Sequence, residues 1–90
     1  MSKPNTFLEY IDSFANYEDL LKDINYDANK LNHLWFVFNL ELFDFNTSHA
    51  IAKRNNEKSL EYYVDEGRKF DKREALLRAA IENNKEEVAC

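Results

Sequence analysis

The chain has 90 residues, a mass of 10.7 kDa and a formal net charge of −5 from 12 basic and 17 acidic residues. That length holds one compact domain and excludes two, since domains run from about 50 to about 250 residues. Apolar residues make up 44% and aromatics 14%, which is enough to build a core and excludes disorder for the bulk of the chain, while the acidic balance disfavours a general polyanion binder.

One Gly and one Pro occur in the whole chain. Sheet proteins need turn residues at short intervals, so this scarcity points to an all-α fold, a small bundle of three to five helices in a single domain over 1–90. Cys90 is the only cysteine, so no internal disulfide forms. Its isolation fits a reducing cytoplasm, the host's cytoplasm if the gene is phage-borne. Met1–Asn5 lacks an apolar signal core and no run approaches the ~18 apolar residues of a membrane span. Residues with AT-rich codons (Phe, Tyr, Met, Ile, Asn, Lys) number 36, against 14 with GC-rich codons (Gly, Ala, Arg, Pro). Such a bias suits bacteriophages, mobile elements and low-GC bacteria.

In chain order, the spacing predicts one helix over 6–25. Thr6 and Glu9 form a capping box, and Phe7, Ile11, Phe14, Leu21 and Ile24 lie on one stripe with Leu8 beside it. A kink has a place at Ser13–Asn16, where Asn16 offers a cap for a second start at Tyr17. The opposite side carries Glu9, Asp12, Asp19, Asp23 and Asp27. Asn25–Asp27 reads as a turn, with Asp27 or a neighbour capping the next helix.

From Leu31, the residues Leu31, Leu34, Trp35, Phe38, Leu42 and Phe45 keep one helical face, while Phe36, Leu40 and Phe43 form a second apolar strip. A helix apolar on two sides is buried on two sides, as the centre of a fold or as half of a dimer seam. Alternation of Phe36, Phe38, Leu40 and Leu42 with Val37, Asn39 and Glu41 also fits a strand, but its only counterpart, Leu60–Val64, has no tight hairpin to join it. Asn46–Ser48 either divides this helix or lies within a continuous one. Asn56 is a cap for a helix that stops at Gly67, and Asp71 with Glu74 makes a further capping box for a last helix to about Asn83, followed by a polar, frayed tail from about residue 84. The expected core is Phe7, Ile11, Phe14, Leu21, Trp35, Phe38, Leu42, Leu60, Leu77 and Ile81.

Catalytic chemistry has little material. His33 and His49 lack the i, i+4 spacing of a helical metal site, a triad of Asp44, Ser48 and His49 has no oxyanion loop, and a terminal Cys90 cannot hold a thiolate against a base. One glycine builds no phosphate cradle. No catalytic residue, metal or cofactor is expected, and the chain reads as a non-enzyme.

Charge is lopsided: residues 1–50 carry three basic and eight acidic residues, and residues 51–90 carry nine of each. On one helix Asp19, Asp23 and Asp27 would stand ~6 Å apart, near the spacing of successive phosphates. Together with Asp12 they form a candidate acidic face for a partner with a basic groove. Arg68, Lys69, Lys72 and Arg73 are the one basic cluster, interleaved with Asp65, Glu66, Asp71 and Glu74, so internal ion pairs are the expectation.

The run Glu74-Ala75-Leu76-Leu77-Arg78-Ala79-Ala80-Ile81-Glu82-Asn83-Asn84-Lys85-Glu86-Glu87-Val88 resembles the first helix and turn of an ankyrin repeat. It covers about 15 residues and occurs once, whereas such repeats bury their faces on neighbours, so it implies no repeat array.

The resulting expectation is a homodimeric or partner-bound protein that works by occupying another protein's surface, with Phe36, Leu40 and Phe43 as anchors. A phage or mobile-element inhibitor of a host or defence protein is the leading reading. An immunity protein or antitoxin is the second, and a dimeric nucleic-acid-binding regulator using Arg68–Arg73 the third. Nucleic acid and membrane are not the expected partners.

Overall fold

The computed structural model describes residues 6–55 and 60–89, the last four of these by their backbone alone. It is all-α, with α1 (Phe7–Asp12), α2 (Tyr17–Asp23), α3 (Ala28–Arg54) and α4 (Leu60–Ala89), and no strand among the described residues. The strand alternative for Leu34–Phe45 therefore falls, and that run lies inside α3.

The stretch 6–25 is two helices rather than one. Thr6 Oγ1 accepts from the Glu9 amide at 3.0 Å and starts α1 as expected. Four residues later the Ser13 hydroxyl donates to the Tyr10 carbonyl at 2.6 Å, and Asn16 Oδ1 accepts from the Asp19 amide at 3.0 Å to start α2. Both contacts give the backbone an alternative to the helical ladder. Packing demands the break. On one continuous helix Ile11 and Leu20, nine residues apart at 100° each, would point in opposite directions, yet both are buried in the same core. Only a corner between them lets both face inward.

The turn after α2 uses two left-handed residues, Asn25 (φ 60°) and Tyr26 (φ 56°). Tyr26 N donates to the Leu21 carbonyl at 2.9 Å, the six-to-one bond that closes a helix end. Glycine would be the usual choice there; this chain uses Asn and a tyrosine that packs against the core. Asp27 then caps α3, its Oδ1 accepting from the amides of Asn29 (2.9 Å) and Lys30 (3.3 Å).

α3 has 27 residues and α4 has 30, rods of ~40 and ~45 Å. Asn46–Ser48 does not interrupt α3. The two rods lie antiparallel: Trp35 meets Arg78, Phe45 meets Phe70 (4.8 Å between centroids), and His49 stacks on Tyr63 (5.1 Å). Phe38 is wholly buried, with Trp35 and Phe70 against it. Ile11 from α1, Leu20 and Leu21 from α2, and Ile24 complete the core with Leu31, Leu34, Leu77 and Ala80. Phe7, Phe14, Trp35, Leu42 and Ile81 pack on its margin. Leu60, also expected in the core, is half-buried outside this cluster.

Three boundaries near α4 differ from the sequence reading. Gly67 does not end a helix; it sits inside α4 without a positive φ, facing the Phe45 ring. Asp71 and Glu74 consequently lie in mid-helix and form no cap. The helix also continues past Asn83 to Ala89, Asn84 is buried, and the turn that the ankyrin likeness calls for is absent. Asn56 and Pro4 lie outside the described residues.

An interior glycine costs a helix about 1 kcal/mol relative to alanine. A Cβ at position 67 would stand 3.7 Å from Phe45 Cζ, an ordinary contact. Gly67→Ala should therefore stabilise the protein by about 0.5–1 kcal/mol, read as a rise of several degrees in Tm. A left-handed C-cap glycine would give the opposite sign.

Candidate docking surfaces

The four acids proposed as one face are divided among separate tasks. Asp12 receives both Arg73 Nε (2.8 Å) and Nη2 (2.7 Å), a bidentate pair that ties α1 to α4 across 61 positions of sequence. Asp23 accepts from the Tyr10 hydroxyl at 2.6 Å, tying α1 to α2. Asp27 caps α3. Asp19, in the first turn of α2, stays exposed beside Glu18. Because α2 stops at Asp23 and the left-handed turn follows, Asp19, Asp23 and Asp27 do not form a row on one helix.

The Asp12–Arg73 pair is asymmetric. The Arg73 side chain is 6% exposed and that of Asp12 is 42% exposed. Arg73 also lies over the Phe70 ring at 4.9 Å, and its Nη1 is buried without a hydrogen-bond partner. The hydrogen bonds that Arg73 donates to Asp12 raise its pKa against the opposing effect of burial. Removing the carboxylate charge strands a buried cation, whereas removing an exposed one does not. Asp12→Asn should cost about 2 kcal/mol in urea unfolding, against less than about 0.5 kcal/mol for Asp19→Asn.

Burial raises the Tyr10 pKa to about 12, aided by the hydrogen bond to Asp23 and by its charge. A pKa above the unfolded value means that the folded state holds the proton more tightly. The contribution is therefore complete below about pH 10 and is lost as pH rises toward 12. Wild type should exceed Tyr10→Phe in Tm at pH 7, with the difference shrinking through that window. A constant difference from pH 9 to pH 12 would contradict the assignment.

Two of the four residues of the basic cluster, Lys69 and Arg73, are engaged in ion pairs. Lys69 pairs with Glu66 at 3.0 Å, which raises the lysine's pKa, Arg73 holds Asp12, and Glu74 pairs with Arg78 at 2.7 Å. The expected internal pairing is present for Glu66, while Arg73 finds its partner on another helix. A shallow groove of about 750 Å³ opens between the α1–α2 corner and α4, with Ile11, Phe14, Tyr17 and Leu76 as apolar walls and Lys69 and Lys72 beside them. Sequence reading missed this groove. Its one available signal was that Phe70, Arg73, Leu77, Ala80 and Asn84 share a single 3–4 spacing, which places an arginine on the buried lane.

Asp44, Ser48 and His49 do not converge. All three lie on one helix, where Asp44 and Ser48 share a face but His49 sits 100° round from Ser48, stacked on Tyr63 and tilted against Phe45. His33 is exposed. Among the described residues no group of three His, Cys, Asp or Glu side chains is placed to hold a metal, and no helix is long and apolar enough to cross a membrane. Cys90 lies outside the described residues.

The remaining feature is on α3. Phe36, Leu40 and Phe43 are 61%, 51% and 69% exposed, with Ile51 also exposed along the same side. They lie opposite the seam with α4 and are not members of the core cluster. Comparison of the chain with protein families, curated proteins and solved structures finds no match.

Proposed function

We propose that this chain is a non-enzymatic protein that acts by protein–protein contact, and that the outward face of α3 is where the other chain docks. The supporting observation is the exposure of Phe36, Leu40 and Phe43 in one helical lane. A 90-residue chain has few large apolar side chains to spare, and leaving three of them more than half exposed forfeits about 1–2 kcal/mol of burial for each. Aromatic anchors in a polar surround are the composition of interface centres. Glu18, Asp19 and Asp23 are the exposed carboxylates of α2, and Asp23 is engaged by the Tyr10 hydroxyl, so electrostatic steering is an accessory to the apolar face. The ion pairs in the basic cluster favour a protein over a nucleic acid as partner. Together with the AT-rich coding bias, this reading describes a phage or mobile-element product that works by steric cover of a host protein.

Placing the photo-crosslinker p-benzoylphenylalanine at position 36 or 43 tests the docking face in the producing cell. Both variants should yield covalent protein adducts on irradiation, and the same group at Glu41, on the far side of the lane, should not. Absence of any protein adduct from 36 and 43 would remove the reading.

A further inference from the structure

We infer that the chain covering the outward face of α3 is a second copy of this protein, packed antiparallel about a two-fold axis level with the middle of α3. The inference rests on the reading of that face as a protein-docking surface and names its occupant.

The shape supplies the first argument. The protein measures 52 × 31 × 17 Å; its two rods lie side by side, and α2 packs against α4 rather than on the outward side of α3. Domains bury their apolar faces between two packed layers. The α3–α4 pair has one such layer and a helix apolar on both sides. Stacking two α3–α4 pairs through α3 supplies the second layer and gives a four-rod bundle, a common solution for helical hairpins.

The lane itself supplies the second argument. Asn29, His33, Phe36, Leu40, Phe43, Thr47, Ala50 and Arg54 recur at alternating steps of four and three, the repeat of a helix–helix seam. Reversed upon itself about the point midway between Leu40 and Phe43, this lane sets each large residue against a complementary one. Leu40 faces Phe43 of the second copy, Phe36 faces Thr47, His33 faces Ala50, and Asn29 faces Arg54. No charged side chain lies in the lane before Arg54 at its end. In this register Arg54 of the second copy falls ~3 Å along the axis from the level of Asp27, and the two helix dipoles oppose. A parallel pairing would instead set Lys53 and Arg54 of both copies together.

Area is the third argument. A phenylalanine offers ~200 Å², so these exposures give ~250 Å² for Phe36 and Phe43, and on the order of 400 Å² with Leu40 and Ile51. That is half of the ~800 Å² per partner in a standard interface, the remainder coming from flanking polar residues as in other interfaces. Isologous pairing needs no other surface. It also leaves Glu18 and Asp19 uncovered, because α2 packs on α4, so a host protein would meet the dimer through the surface that remains free and not through the α3 face.

Sedimentation equilibrium between about 5 and about 500 μM should give about twice the 10.7 kDa chain mass. Leu40→Glu should give the monomer mass with its helical circular dichroism retained; a folded dimer of that variant overturns the proposed face. A monomeric wild type at the highest concentration overturns the dimer. If photo-crosslinking from 36 and 43 still captures other proteins in that case, the docking face stands and only its occupant changes. If no adducts form either, both readings fall. Orientation is read from single cysteines in a Cys90→Ser background. Leu40→Cys, ~4.5 Å in axial offset from its own copy, should oxidise to a covalent dimer, whereas Asn29→Cys and Thr47→Cys, offset by ~37 and ~16 Å, should not. Equal crosslinking at all three positions would mean a parallel pair and overturn the antiparallel register.

Discussion

The antiparallel seam between α3 and α4 is the contact on which the other parts of this protein depend. It pairs Phe38 and Phe45 with Phe70, and His49 with Tyr63, along two helices of 27 and 30 residues. Isolated helices are marginal in water, and most of their stability comes from packing an apolar face. Neither rod has another long partner within the chain. The seam also presents Arg73 and Leu77 to α1 and α2, so the N-terminal third docks on a surface that exists only once the rods have paired.

That third is held by polar ties as much as by burial. Ile11, Leu20, Leu21 and Ile24 enter the core, and Asp12–Arg73 and Tyr10–Asp23 fix the angle at which α1 and α2 arrive. The acidity of residues 1–50 is thereby partly structural: one carboxylate neutralises a buried guanidinium, one holds a tyrosine hydroxyl and one caps α3. A charge that satisfies a buried partner is not available to steer a distant one. This is why the net charge of −5 says less about a partner than its location in the first half of the chain implies.

Features set by neighbouring residues were legible in the sequence. Thr6, Asn16 and Asp27 cap helices through bonds spanning two or three positions, and the all-α class follows from the lack of turn residues. Features set by tertiary packing were not. Ile11 and Leu20 share a core only because the chain turns a corner, which a single periodic stripe cannot show. Gly67 has the residue type of a helix end, yet ending α4 there would misalign Tyr63 and Phe70 against Phe45, forfeiting burial worth about 1.5–3 kcal/mol per side chain to avoid a glycine cost of about 1 kcal/mol. Arg73 found a partner 61 residues away, where its nearest acidic neighbours in sequence stood closer. The apolar strip of Phe36, Leu40 and Phe43 was visible from spacing alone, but its exposure was not, because spacing does not say how many layers a fold contains.

The two apolar sides of α3 are unequal in a way that bears on their roles. The side facing α4 is crowded with aromatic rings and has His49 stacked within it, and its neighbours are supplied by the same chain. The outward side is sparse: two phenylalanines and a leucine near the middle, small or polar residues toward both ends, and opposite charges beyond them at Asp27 and Arg54. A surface meant for a large, differently shaped partner has no need of such balance about its own centre. A surface that must match itself after a two-fold rotation does, because each residue then meets the residue equally far from the axis on the other side. The distribution of size and charge along α3 is the pattern on which the proposed two-fold pairing rests.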